Sequence, residues 1–202
     1  MLFRKKSIDL KNWLNSSKNA ILITGARQSG KTFLVRNILR EENADFVELN
    51  LLRQPELVSL FDSAKKGDPQ EFLTRLSLAT SKKLTRGKTI IFLDEIQEYK
   101  DILTVIKFLV EDGSFRYVLS GSLLGVELTD LRSAPVGYLS VIDMYPMDFE
   151  EFITALNMPA SAIENLHHCF DLFFFSAPHT YQGLFDFCSI VFKQRQMIVA
   201  GG

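Results

Sequence analysis

Apolar residues fall along the chain in two kinds of pattern. Near-continuous runs of strand length occur at Ala20-Ile-Leu-Ile-Thr24, Phe46-Val-Glu-Leu49, Thr89-Ile-Ile-Phe-Leu93 and Arg116-Tyr-Val-Leu119, with a fifth from Tyr138 to Met144. Between these runs the apolar positions recur at helical spacing. Ile8, Leu10, Trp13 and Leu14 mark a helix over residues 8–18, and Leu34 with Ile38 and Val35 with Leu39 mark another from Lys31 to about Arg40. Pro55 opens a helix over residues 55–64. Asp68-Pro69-Gln70-Glu71 is a helix start, with Asp as cap, Pro in the first position and Glu in the third. Phe72, Leu76 and Ala79 then share a face, and Ile102, Ile106 and Leu109 form a later stripe. Asp148 with Glu151 caps one more helix after Pro146. Strands alternating with helices predict an α/β fold, a parallel sheet covered on both faces.

The turn after the first strand changes the picture from fold to chemistry. Gly25-Ala26-Arg27-Gln28-Ser29-Gly30-Lys31-Thr32 matches G-x-x-x-x-G-K-[ST] in full, and it lies between an apolar strand and an amphipathic helix. A triphosphate needs many donors at short range. Successive backbone N–H groups of a tight loop supply them, and the positive end of the following helix adds to their field. Gly25 and Gly30 permit conformations and close approach that a Cβ would block. Lys31 is a point charge for the β- and γ-phosphates, and the Thr32 hydroxyl is a ligand for Mg2+. Residues 25–33, ending at Phe33, are therefore the expected Walker A nucleotide-binding segment.

The most apolar strand ends in Asp94-Glu95. Two capping acids opening a turn would give the same letters. Downstream of a phosphate loop they read instead as Walker B: Asp94 for Mg2+ and Glu95 to orient or activate the attacking water. A glutamate there favours hydrolysis over transfer to a hydroxyl. Ser120 and Ser122 end the next strand, and either fits a polar contact to the γ-phosphate or the water; a plain Ser-Gly-Ser turn is the alternative. No Asn-Lys-x-Asp guanine-reading motif is present, so ATP is the expected nucleotide.

Composition narrows the remaining classes. The chain has 202 residues, 47% hydrophobic and 23% charged, which suits one α/β domain with a small appendage. A formal net charge of -1 gives no support to nucleic-acid binding. Arg4-Lys5-Lys6, Lys65-Lys66 and Lys82-Lys83 read as solvated surface. Two cysteines, Cys169 and Cys188, are too few for a disulfide framework, which fits a reduced, cytoplasmic compartment. The basic start is followed by no apolar h-region, and no run of apolar residues is long enough to span a membrane. His167, His168 and His179 have no acidic or cysteine partners at ligand spacing, so Mg2+ is the expected metal.

Four segments together, Gly25–Thr32, Phe92-Leu-Asp-Glu-Ile-Gln97, Leu119-Ser-Gly-Ser122 and Tyr145-Pro-Met-Asp-Phe-Glu-Glu-Phe152, resemble a family of prokaryotic AAA+-superfamily P-loop ATPases of unknown role. The resemblance spans about residues 18–155. It implies a three-layer ATPase core with a five-stranded parallel sheet in the order 5-1-4-3-2, and a family-typical role for Gln97. Members usually continue into a C-terminal domain of unknown function. Many carry a Gly-Arg pair after the sensor strand, whereas this chain has Val136-Gly137-Tyr138, leaving Arg132 as the nearest arginine-finger candidate.

Residues 160–202 hold seven of the 17 phenylalanines, interrupted by Asp171, His179 and Asp186. The reading is an ATPase domain over 1–155 and a helical, aromatic-rich segment over 156–202. That segment is an incomplete subdomain whose apolar faces expect a partner: the missing C-terminal domain, another protein or a second copy. The expected activity is Mg-dependent ATP binding and hydrolysis. The alternatives are a nucleotide-dependent switch with negligible turnover and a small-molecule kinase. A kinase needs a lid bearing arginines, and residues 123–145 supply only Arg132.

Overall fold

A computed structural model describes residues 3–65, 69–80, 82–99, 101–122 and 137–176. They form two compact units, one over Arg4–Met147 and one built from Asp148 onward with the first residues of the chain.

The larger unit runs α1 (Ser7–Ser16), β1 (Ala20–Gly25), α2 (Lys31–Glu41), β2 (Phe46–Asn50), α3 (Leu57–Lys65), α4 (Pro69–Thr80), β3 (Ile90–Asp94), a 3-10 turn (Ile96–Glu98), α5 (Ile102–Asp112), β4 (Arg116–Ser122) and β5 (Leu139–Met144). All strand pairs are parallel, and the order across the sheet is β2-β3-β4-β1-β5. Read from the other edge this is 5-1-4-3-2, the order that the family resemblance implies.

Near-continuous apolar strands follow from burial on both faces. Alternate residues enter different cores. Leu22, Ile91, Leu93, Tyr117 and Leu119 pack with residues of α3, α4 and α5. Ile21, Ile23, Ile90, Phe92 and Val118 pack with Leu10 and Trp13 of α1 and with Leu34, Val35, Ile38 and Leu39 of α2. Removing that apolar surface from water stabilises the three layers by about 25 cal/mol per Å2. Gly113 ends α5 in the left-handed conformation at φ 68°, the usual exit for a helix that must turn into a strand.

Element ends differ from the sequence reading in local detail. Pro55 precedes α3 rather than opening it: Leu57 N–H donates to Gln54 O, a turn that delays the helix to Leu57. In α4 the buried stripe is Phe72, Leu73 and Leu76, and Ala79 is exposed. Asp68, the expected cap of α4, lies outside the described residues.

The smaller unit contains α6 (Phe149–Ala155) and α7 (Ala160–Ser176). Its first helix carries the capping box read from the sequence, with Glu151 N–H donating to Asp148 and Asp148 N–H donating to the Glu151 carboxylate. Ile153 and Leu166 are buried in this unit. Among the described residues no helix is long and apolar enough to cross a membrane. Cys188, His179 and the aromatic run beyond Ser176 lie outside the described residues, as do Arg132 and Val136.

Candidate functional site

Strand register brings the polar residues to one level. Gly25 at the end of β1 is opposite Ser122 of β4 on one side and Met144 of β5 on the other. Asn50 at the end of β2 is opposite Asp94 of β3. The loop Gly25–Thr32, the acidic pair and both serines thus meet at the carboxyl edge of the sheet, where open α/β sheets bind ligands.

The loop between β1 and α2 depends on its glycines. Gly25 adopts φ 151°, and a Cβ there would lie 2.0 Å from the Met144 carbonyl oxygen. Gly30 is left-handed at φ 91° and precedes α2 with no side-chain cap, so the first N–H groups of that helix are left to face a ligand. Gln28 is also left-handed, at φ 62°. Ala26, Arg27 and Gln28 are exposed, and Phe33 is half exposed on the first turn of α2. Ser29 is buried, and its hydroxyl has no hydrogen-bond partner among the described residues. Lys31 is buried too. Its ammonium donates to Gly25 O at 3.1 Å and Ala26 O at 2.7 Å, inside the curl of the loop. Burial lowers its pKa from the ordinary lysine value, and the Glu95 and Asp94 carboxylates oppose that shift.

Asp94 is the hub. The residue is 3% exposed, and its carboxylate only accepts hydrogen bonds when ionised. Thr32 Oγ1 donates to it at 3.1 Å, Asn50 Nδ2 at 3.0 Å, and Ser120 Oγ by a short contact to Oδ1. All three donors are neutral, so nothing in this set compensates the carboxylate charge. A hard carboxylate oxygen beside a hydroxyl at a phosphate loop is the donor chemistry that suits Mg2+. Sequence alone does not single out Asn50. Its only signal there is a polar residue closing an apolar strand, and its value appears only through the register with Asp94.

Glu95 follows in the left-handed conformation, φ 57° and ψ 45°, unusual for a residue with a side chain. This bend turns the chain out of β3 into the 3-10 turn. Its carboxylate accepts from Gln97 Nε2, and Gln97 Oε1 accepts from the Ser122 N–H at 3.1 Å. Gly121 makes room for this arrangement, since a Cβ there would lie 2.7 Å from Ile96 Cγ1 and 3.1 Å from Gln97 Oε1. The two serines share a face of β4 but stand at different heights. Ser120 is level with Ile23 and bound to Asp94, whereas Ser122 is level with Gly25 and its buried hydroxyl has no partner among the described residues.

Arg4 corrects the reading of the first basic run as solvated surface. The residue is 4% exposed, and its guanidinium donates to Ser29 O at 2.8 Å and Tyr145 O at 2.6 Å. Lys5 beside it is exposed, as expected. The side chain thus ties the phosphate loop to the chain leaving β5.

Residues 17–153 match the family model described as an AAA domain. The chain therefore belongs to that family, a member of the AAA/P-loop ATPases, and carries a nucleotide-binding ATPase domain. A solved Pif1 helicase structure, from work on DNA unwinding at forked double-stranded DNA, is similar at 17% identity with a TM-score of 0.45. The alignment covers 82% of this chain and 51% of that one, so this chain spans about half of the helicase chain's length. No curated protein sequence matches the chain.

Proposed function

We propose that this AAA-domain chain binds ATP with Mg2+ at Gly25–Thr32 and hydrolyses it. The observation that carries the reading is the meeting of Thr32 with Asp94, whose hydroxyl and carboxylate lie 3.1 Å apart at the foot of the phosphate loop. Backbone N–H groups of the loop and the start of α2 hold the phosphates. Lys31 turns from the loop carbonyls to the β- and γ-oxygens, an anionic partner that the neutral loop carbonyls do not supply. The buried Ser29 hydroxyl, part of the same loop and without a partner among the described residues, fits a further donor to phosphate. Thr32 and Asp94 hold Mg2+, which when bound neutralises charge on the phosphate oxygens. Ser120 and Asn50 keep the Asp94 carboxylate in place by their hydrogen bonds. Glu95 orients the water and takes its proton, and Ser122, level with Gly25, contacts the γ-phosphate.

Phosphate release by the purified protein tests the reading. Glu95→Gln is expected to lower turnover by about 100-fold or more while ATP still binds, and Lys31→Ala to weaken binding itself. A protein that binds no Mg-ATP, or in which neither variant changes anything, overturns it. A second reading, a nucleotide-dependent switch, is favoured by the sequence Gly137-Tyr138 where many relatives have Gly-Arg. Binding without Glu95-dependent turnover in the same experiment supports the switch.

A further inference from the structure

We infer that Gln97 is a positioning residue that fixes the Glu95 carboxylate for its work on water and ties it to the tip of β4. The inference rests on the hydrolytic reading of the site and goes beyond it.

Polarity fixes which way the Gln97 amide points. The backbone N–H of Ser122 can only donate, so the atom of the Gln97 amide that meets it at 3.1 Å is the oxygen. That leaves the amide nitrogen toward Glu95, whose carboxylate only accepts. Gln97 is thus oriented at both ends, and neither end works with the amide reversed. The backbone supports the same placement. Glu95 at φ 57° starts the 3-10 turn that brings residue 97 back beside residue 95, and Glu98 N–H closes the turn on Glu95 O at 3.2 Å. Ile96 is fully buried and anchors the turn in the core. Gly121 removes the side chain that would otherwise push Ile96 and Gln97 off β4. A glutamate on a free turn would sweep many rotamers. Held by Gln97, its carboxylate is fixed relative to Ser122, which is itself level with Gly25.

Gln97→Glu is the decisive variant. It keeps the volume and the acceptor for Ser122 N–H, but sets a carboxylate where Glu95 needs a donor. The expected result is kcat lower by about 10- to 100-fold, the loss that a misplaced catalytic group brings. KM for Mg-ATP stays within about two-fold, since the Gln97 amide bonds to Glu95 and Ser122 rather than to the phosphate loop. Gln97→Asn, which keeps the donor on a shorter arm, recovers part of kcat. In a Glu95→Ala background Gln97→Glu causes no further loss, because its effect passes through Glu95. A readout without turnover is the 15N-labelled side-chain amide of Gln97, which is expected to move in Glu95→Ala protein and to stay put in Lys31→Ala protein.

An unchanged or raised kcat in Gln97→Glu, with Glu95→Gln inactive, overturns the inference and leaves the hydrolytic reading standing. A loss that persists in full in the Glu95→Ala background, or an amide signal indifferent to Glu95→Ala, also overturns it. Turnover that survives Glu95→Gln removes the hydrolytic reading and this inference with it. Should Gln97→Glu fail to fold, the wild-type amide signal and Gln97→Asn decide.

Discussion

Arg4 and Ser29 are joined across 25 positions of chain by a 2.8 Å hydrogen bond from the Arg4 guanidinium to the Ser29 carbonyl. The same group donates to Tyr145 O at 2.6 Å, so a residue before the first helix holds both the phosphate loop and the exit of β5. Hydrogen bonds from a charged donor contribute about 1.5–3 kcal/mol each when partly buried. Arg4→Ala is expected to lower stability by about 2–3 kcal/mol, a fall in Tm of about 5–10 °C for a chain of this size. Arg4→Lys recovers less than half, since one ammonium cannot present a two-pronged donor. Calorimetry on the three proteins, with an ATP titration of each, checks this. The idea is sunk if Arg4→Ala melts with the wild type.

Glu95 pays for its place with a left-handed backbone, φ 57°. For an L-residue that conformation costs about 1–2 kcal/mol. Glycine is free of that cost, though it gives back about 0.4–1 kcal/mol through a looser unfolded chain. Glu95→Gly and Glu95→Ala both lose the bond to Gln97, so their difference isolates the backbone. Glu95→Gly is expected to melt about 1–3 °C above Glu95→Ala, with both proteins keeping only a small residual turnover. Equal melting temperatures, or the reverse order, would show that the bend imposes no strain.

The start of the β2–β3 pair carries a pH dependence. Asp45 accepts from Thr89 Oγ1 and pairs with Lys82 at 2.8 Å, and its backbone oxygen accepts from Ile90 N–H. Lys82, then Thr89, hold its carboxyl below the ordinary aspartate value. A group with a depressed folded-state pKa contributes stability that is whole above its unfolded pKa and is lost as pH falls through the folded one. Wild type is therefore expected to be more stable than Asp45→Asn by a constant margin above about pH 5, a margin that shrinks below about pH 4. Urea midpoints across that range measure it; a margin that grows on acidification contradicts the assignment.

What sequence shows and what it hides here divide along one physical line. Gly25–Thr32 and Asp94-Glu95 are legible because each is a contiguous piece of chain whose chemistry and local geometry travel together. The sheet is legible for the same reason, since burial on both faces writes itself into each strand as an unbroken apolar run. Asn50 and Arg4 are not legible, because their roles exist only across the fold. Asn50 needs the β2–β3 register to reach Asp94. Arg4 resembles its solvated neighbour Lys5 until the carbonyls of Ser29 and Tyr145 close around it. The role of Gln97 falls between the two. Its position in the motif is visible, but its two partners lie on different strands' ends.

Ser120 and Ser122 show the same limit and offer the sharpest separation of structure from chemistry. Spaced two apart on one strand, they point to the same face, and sequence cannot assign one role to either. In the fold Ser120 donates to Asp94 and is fully buried, while Ser122 is two register positions higher, level with Gly25, with a buried hydroxyl that has no partner among the described residues. Removing a donor to a buried carboxylate costs about 1.5–3 kcal/mol. Ser120→Ala is therefore expected to lower Tm by about 4–10 °C and to raise the Mg2+ concentration needed for half-maximal turnover, because Asp94 loses a restraint. Removing an unsatisfied hydroxyl carries no such cost. Ser122→Ala is expected to melt at or slightly above the wild-type temperature, yet to lose kcat by about 10-fold or more if its hydroxyl meets the γ-phosphate as charge develops there. Melting curves and steady-state kinetics on the two alanine variants decide the matter. Two serines that behave alike, or a Ser122→Ala protein with full kcat, remove Ser122 from the site.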